Sequence, residues 1–507
     1  MPNHTDTSDH GNAGPAAGLP GAAPEHPPQA GPRPGRAALF SLAVLSGLLL
    51  SAAFAPLAAW GLAWVALVPL FSAILGSRDP RQAARLGAAT GLVFYTISLR
   101  WMPNVVNAVA LIFWCVFSLW LALHAALARS LWTRLENKGL AGALAWTAAA
   151  ALSWAGIEYF RSEIWLLPCP WLGLGYSQAA NPPLLQTLSV WGVYGLSAFI
   201  AAFSAALALL GRKIKTPAAV LGCALLAAAL WGRHRLAAFN PETGTPLKVA
   251  LVQAERVPVA TLIKYSLSPE ALDAGLLLWP ENSIMLPGSN TAAYLRLLGK
   301  NLKPSRAVAA LGAGINVREG GRLRRENFLL FLNSSKKPVG RYDKMHPVPL
   351  VEAGLPASHM ARAVNTELGK LGPQICYDLA FEDGTRKVTA QGARLLVTPT
   401  LDPLEWGELQ HAQHSDMSGA RAVEAGLWLV RAASSGRSQI IDPLGAERAA
   451  LGKGEGVLTG RVYLLNGGTF YTRLGWLFAP AALGFTILAA AWLLAGDHSR
   501  RRRMRTH

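Results

Sequence analysis

Charge is scarce in this chain. Asp, Glu, Lys and Arg make up 15% of its 507 residues, against about 25% in an ordinary soluble domain, and a deficit of that size points to a membrane. Cysteine is scarcer still. The four are Cys115, Cys169, Cys223 and Cys376, too few for a disulfide framework, and no CxxC pair suggests zinc. Cys115 and Cys223 lie inside apolar runs, so only Cys169 and Cys376 sit in polar-flanked sequence. Acidic residues number 29 against 47 Lys and Arg, for a net charge of +18. Such an excess can serve nucleic acid, but here the basic residues flank apolar runs, which is how topology signals in membrane proteins are written. No nucleic-acid partner is therefore expected. The first apolar run is long and has no clear cleavage site, so it is expected to be a retained anchor rather than a cleavable leader.

What the chain does have is hydrophobic length. Fully 52% of its residues are apolar. Runs approaching the roughly 20 residues that a bilayer requires recur near 38–54, 57–76, 86–101, 105–128, 141–158, 188–211 and 216–232, and once more near 474–496. The expectation is a multi-pass α-helical membrane bundle of about eight helices. A Pro-, Gly- and Ala-rich disordered tail occupies 1–37, about seven helices fill 38–235, the last helix lies at 470–496, and a basic tail follows at 497–507. Arg33 and Arg36, the cluster Arg78, Arg81 and Arg85, the cluster Arg129, Arg134 and Lys138, the cluster Arg212, Lys213 and Lys215, and the arginines from Arg500 onward all fall on one side of such a bundle. That side is read as cytoplasmic. Arg100, Arg233 and Arg235 fall on the other side. Residues 240–465 are then extracytoplasmic.

The character of 240–465 is different. Short β-rich runs such as Lys248-Val-Ala-Leu-Val-Gln253 and Arg394-Leu-Leu-Val-Thr398 alternate with helical stretches near 291–302 and 409–426, the signature of a layered α/β fold. Three short patterns there place a reactive side chain at the end of an apolar segment: Trp279-Pro280-Glu281, Tyr342-Asp343-Lys344 and Ile375-Cys376-Tyr377. Taken singly, Glu281 reads as a helix-start acid, Lys344 as a solvated cation and Cys376 as a core thiol. Together they supply what cysteine catalysis needs. A thiol at neutral pH requires a base or a lowered pKa, which Glu281 and Lys344 can provide, while Lys344 and the backbone N–H of Tyr377 can stabilise an oxyanion. No metal or cofactor is required. His411 and His414 form the one spacing that would interest a metal.

In this order the three patterns resemble the Glu-Lys-Cys triad of the nitrilase superfamily, and the eight-helix frame narrows the resemblance to the apolipoprotein N-acyltransferase family. Phe54-Ala-Pro56, the loop Pro170–Gln178, Gln413-His414 and Arg421-Ala-Val-Glu424 add to it, so that it covers about residues 38–496. The resemblance implies an αββα sandwich for 240–465, with Glu281 as general base, Lys344 as catalytic lysine and Cys376 as nucleophile. It further implies Glu352 as a second glutamate near the site, Tyr377 as the residue after the nucleophile, and substrate contacts from Trp406 and Tyr176. The implied activity moves an acyl chain from a membrane phospholipid, through a cysteine thioester, to the N-terminal diacylglyceryl-cysteine of an apolipoprotein. It implies a monomer in the bacterial cytoplasmic (inner) membrane with its catalytic domain on the periplasmic side. Four features depart from the family pattern: Asp378 where a Glu is usual, Leu350-Val-Glu352 for Phe-Gly-Glu, Leu401–Trp406 for an Asn-Asp-Ala-Trp-Phe stretch, and a short interval between Gln253 and Glu281. Two other readings stay open: a membrane-tethered carbon–nitrogen hydrolase (amidase or nitrilase) that uses water as second nucleophile, and a paralogue that binds lipids or lipoproteins without turnover.

Overall fold

The computed structural model describes residues 34–319 and 322–505, with the side chains of 319, 322–323 and 497–505 left out. Most of the two expected terminal tails, with Arg33 and the side chains of the final arginine run, lies outside the described residues.

The apolar runs fold into helices: α1 (Arg36–Ala53), α2 (Val68–Gly76), α3 (Pro80–Ser98), α4 (Val109–Leu135), α5 (Gly139–Tyr159), α6 (Leu188–Ala208) and α7 (Thr216–Ala238). Among the described residues, five helical stretches are long and apolar enough to cross a membrane by length and composition: 36–53, 109–164, 188–212, 216–238 and 475–496. The second of these contains both α4 and α5, and 60–76 is a shorter apolar stretch. Helix α3 is capped by the Asp79 side chain, which accepts from Gln82 N at 2.8 Å, with Pro80 at its first position. Small residues bring the helices together. A Cβ on Gly87 of α3 would stand 2.4 Å from the Leu121 carbonyl of α4, so only glycine permits that approach.

Between α7 and the last helix comes a two-sheet domain. Its elements are β1 (Thr245–Gln253), α8 (Val259–Ser266), β2 (Leu276–Leu278), β3 (Ile284–Leu286), α9 (Thr291–Leu302), β4 (Val308–Glu319), β5 (Arg322–Leu332), β6 (Pro338–Asp343), β7 (Val364–Thr366), β8 (Gly369–Pro373), α10 (Glu382–Ala390), β9 (Leu396–Thr400), α11 (Glu408–Ala425), β10 (Leu429–Ala433), β11 (Ser438–Ile441), β12 (Glu447–Leu451) and β13 (Gly456–Leu464). One sheet has the order β13-β1-β2-β4-β5-β6, with β3 beside β4, and the other the order β12-β11-β10-β9-β8-β7. At the centre of each sheet the pairs β1–β2–β4 and β8–β9–β10 are parallel.

Alternation along the strands explains the layering. Val249 and Leu251 of β1 and Leu276 and Leu278 of β2 pack against Leu396, Leu429 and Val430 of the other sheet. The alternate residues Ala250, Val252 and Leu277 pack against Leu262 of α8 and Leu298 of α9. The second sheet is covered by α10 and α11, which completes an αββα sandwich. The outer face of α11 is not solvated: Met417, Ala420 and Val423 join the core of the helical bundle, together with Tyr377, Ala380 and Phe381. The last helix, α12 (Phe478–Arg505), returns to the bundle and runs beyond the expected boundary at 496. Its Ala482 carbonyl would meet a Cβ on Gly156 of α5 at 2.6 Å.

Candidate active site

Strand β2 is short and wholly buried, and its end delivers Glu281 to the interior. Trp279 fixes this exit. Its backbone N–H donates to Ala310 O at 2.9 Å and its indole N–H to Ser266 Oγ at 2.8 Å. The neighbouring strand must approach very closely here, since a Cβ on Gly312 would lie 1.9 Å from the Pro280 carbonyl. Lys344 directly follows β6 and is 2% exposed. Its Nζ donates to Glu281 Oε1 at 2.8 Å and to Glu352 Oε2 at 2.7 Å, so one ammonium is held between two carboxylates. Asn327 of β5 donates to the same Glu281 oxygen at 2.6 Å, and the Leu401 N–H supplies Glu281 Oε2 at 2.9 Å.

Cys376 opens the turn that follows β8 with φ at +50°, a conformation that costs a non-glycine residue of order 1–3 kcal/mol and collects at functional sites. The thiol is 3% exposed and donates weakly to the Leu401 carbonyl at 3.6 Å. Burial pushes this thiol well above its usual pKa, Glu281 adds to the push and Lys344 opposes it. Burial likewise raises the Glu281 carboxyl, against the pull of Lys344. Burial alone would lower the Lys344 ammonium, but Glu281 and Glu352 outweigh it and hold the group well above its usual value. Burial and the neighbouring charges thus keep the thiol protonated and the lysine charged at neutral pH, with the Glu281 carboxyl held between Lys344 and Asn327.

The three expected triad residues and Glu352 therefore meet in one buried cluster. Tyr377 is buried next to them, its hydroxyl donating to Pro168 O at 2.9 Å and its ring stacked on Trp171. Trp406 and Tyr176 part company. Trp406 lines an apolar cavity that reaches Cys376, whose wall is shared by the sandwich and the bundle through Trp101, Val105, Phe113, Leu167 and Trp171. Tyr176 is not part of that lining. Its hydroxyl donates to Ala380 O and accepts from Arg421, which fastens the sandwich to the bundle. The physical reason is the buried Arg421–Glu424 pair, which needs oxygen partners at the interface.

Other participants were not singled out from sequence. Asp378, noted only for replacing a usual Glu, accepts from Met345 N at 3.1 Å, His346 N at 2.7 Å, Ile375 N at 3.0 Å and Tyr342 OH at 3.0 Å. It is held below the usual carboxylate range, chiefly by His346, against the opposing effect of burial. Asn327 stands at the polar end of an apolar strand run, which is the signal that could have marked it. A different donor group from His411 and His414 forms in three dimensions: a ring nitrogen of His414, a carboxylate oxygen of Asp402 and Cys376 Sγ lie within 4.8 Å of one another. The donor set suits a hydrogen-bonded cluster better than a cation, because Asp402 is already occupied by His414 at 2.9 Å, by Gln410 at 3.2 Å and by the Arg431 guanidinium.

Known proteins share both halves of this arrangement. Residues 46–207 match the apolipoprotein N-acyltransferase N-terminal domain and residues 248–466 match the carbon–nitrogen hydrolase domain. An apolipoprotein N-acyltransferase of Geobacter metallireducens is 32% identical, covering 89% of this chain and 94% of that protein. One of Azotobacter vinelandii is 30% identical over the same shares. Among solved structures, Nit3 of Saccharomyces cerevisiae, a member of branch 10 of the nitrilase superfamily, is 20% identical with a TM-score of 0.37, covering 43% of this chain and 90% of that one. With two matched domains in sequence and relatives alike over nearly their whole length, the chain belongs to the apolipoprotein N-acyltransferase family.

Proposed function

We propose that this protein transfers an acyl chain from a membrane phospholipid to the α-amine of an N-terminal diacylglyceryl-cysteine on an apolipoprotein, through a thioester on Cys376. The observation that carries the reading is the position of Cys376, which stands beside the Glu281–Lys344–Glu352 cluster at the end of an apolar cavity walled by both the sandwich and the bundle. In the first half-reaction Glu281 takes the thiol proton, sulfur attacks the ester carbonyl, and Lys344 stabilises the oxyanion. The carbon–oxygen bond breaks, the proton passes to the departing lysophospholipid oxygen, and a thioester remains. In the second, the amine attacks the thioester and the carbon–sulfur bond breaks. Glu352 and Asn327 hold Lys344 and Glu281 in register, and Tyr377 and Trp406 border the cavity where the acyl chain lies.

The apolar lining favours transfer over hydrolysis, because water has few polar partners there. We place the protein in the cytoplasmic membrane of a bacterium with both termini inside and the sandwich on the periplasmic side, on the strength of the basic loops. A single chain carries the complete cluster, which supports a monomer. Mass spectrometry of a lipoprotein N-terminus from cells with and without this protein tests the reading. A third acyl chain on the cysteine amine is expected only when the protein is present, and an unchanged N-terminus overturns it.

A further inference from the structure

Cys376 faces a second titratable pair that the mechanism above does not use. His414, on α11, lines the same cavity as Cys376 and is 1% exposed. Its Nδ1 lies 2.9 Å from Asp402 Oδ1. Arg431 pairs with the other Asp402 oxygen, and Gln410 adds a bond at 3.2 Å. The Arg431 guanidinium and the hydrogen bond from His414 hold that carboxyl below its usual range although burial opposes them. The Arg431 guanidinium also comes within 3.2 Å of Nδ1, but the shorter contact to an anionic acceptor favours a proton on Nδ1, so the neutral ring presents its lone pair at Nε2. That atom has no hydrogen-bond partner among the described residues. The ring is clamped as well: it packs on Trp171 at 5.3 Å, and the adjacent Gln413 accepts from the indole N–H of both Trp101 and Trp171. Glu281, the base of the first half-reaction, is held by Lys344, Asn327 and Leu401.

We infer that His414, oriented by Asp402, is the proton carrier of the second half-reaction. The inference rests on the thioester reading of Cys376. When the acceptor amine adds to the thioester carbon, its nitrogen becomes cationic, and the adduct can revert by expelling the amine. His414 Nε2 takes one N–H proton, which blocks reversal. The carbon–sulfur bond then breaks, the amide forms, and the electron pair stays on Cys376 sulfur. The imidazolium, one ring nitrogen of which lies within 4.8 Å of that sulfur in the resting cluster, returns the proton and restores both the thiol and the neutral ring. Nothing is gained from or lost to water. Glu281 serves ester cleavage and His414 serves amide formation.

The test separates the halves. Acyl-enzyme is formed on full-length wild-type and His414→Asn protein in detergent micelles with phospholipid; the Asn amide can still donate to Asp402 but carries no lone pair in place of Nε2. Each is then discharged in single turnover by a diacylglyceryl-cysteine peptide or by a small thiolate, which has no proton to lose. General acid–base catalysis is worth about 10²–10⁴-fold. The variant should therefore lose at least about 10²-fold in discharge by the amine and less than about tenfold in discharge by the thiolate. Equal losses with both nucleophiles, or amine discharge at the wild-type rate, overturn the role of His414 while leaving Cys376 intact. Absence of an acyl-enzyme on the wild-type protein overturns the thioester reading itself. If the variant does not fold, the wild-type protein decides: a normal solvent deuterium isotope effect is expected on amine discharge and none on thiolate discharge, and identical effects on the two overturn the inference.

Discussion

The Asp378 carboxylate accepts the backbone N–H of His346 at 2.7 Å, and this bond fastens the turn that carries Cys376 to the segment that carries Lys344. The same oxygen takes the Met345 N–H and the other takes Ile375 N–H and the Tyr342 hydroxyl. A buried donor left without its acceptor costs about 1–3 kcal/mol. Asp378→Ala should therefore lower thermal stability in detergent and also lose most acyl-enzyme formation. A variant that labels at the wild-type rate would show that the two segments keep their register without this carboxylate.

Thioester labelling should depend on one sulfur. Cys376→Ser is expected to abolish a hydroxylamine-sensitive acyl adduct, whereas Cys169→Ser should retain it, although Cys169 lines the same cavity. Labelling with radioactive phospholipid reads both. Persistence of the adduct in the Cys376 variant would remove this residue from the mechanism.

Glu281 and Lys344 share a 2.8 Å ion pair, so their contributions should not add. Glu281→Gln is expected to slow acyl-enzyme formation by about 10²–10⁴-fold and Lys344→Met by about 10²–10³-fold. The double variant should be scarcely slower than the poorer single one, as residues acting as a unit lose most of their benefit at the first removal. Rates that multiply across the double variant would mean two independent roles.

The thiol itself offers a readout of charge. Since burial and Glu281 raise its pKa while Lys344 lowers it, alkylation of Cys376 by iodoacetamide should rise only at pH values above the ordinary thiol range. Glu281→Gln removes a negative neighbour, so the profile should move to lower pH. Lys344→Met removes a positive one, so the profile should move to higher pH. Mass-spectrometric quantification of the Cys376 peptide against pH gives the direction of each shift, and opposite signs would contradict the arrangement of charges.

Docking of the sandwich on the bundle rests on the fully buried pair of Arg421 and Glu424. Arg421 also donates to the carbonyls of Leu379 and Ala380, and Glu424 accepts from the Val193 N–H of α6 at 2.9 Å. Arg421→Met should destabilise the protein by about 3–5 kcal/mol, because it leaves a buried carboxylate without its partner. Arg421→Lys keeps a cation beside Glu424 and should lose less. Thermal unfolding in detergent measures both. A near-neutral Arg421→Met would mean that apolar packing by Met417, Ala420 and Val423 holds the interface alone.

Much of this was legible in the sequence because it is written locally. A helix that lies among apolar neighbours needs an unbroken apolar run, and a strand of a two-sheet core needs its alternation, so the bundle and a layered α/β domain follow from hydrophobic pattern, while the αββα order came from the family resemblance. Glu281, Lys344 and Cys376 were also legible, since each closes a short apolar segment at a strand end. Asn327, Asp378, Asp402 and His414 were not marked as a working group, because each is an ordinary polar residue until the sheets stack. Tertiary structure alone decided that Trp406 would border the cavity while Tyr176 holds Arg421, and that His414 would stand beside Cys376. The physical reason is that a buried polar group takes its partners from whichever elements pack against it. Asp402 lies after β9, His414 on α11 and Arg431 on β10, and no periodicity along the chain specifies that these three meet.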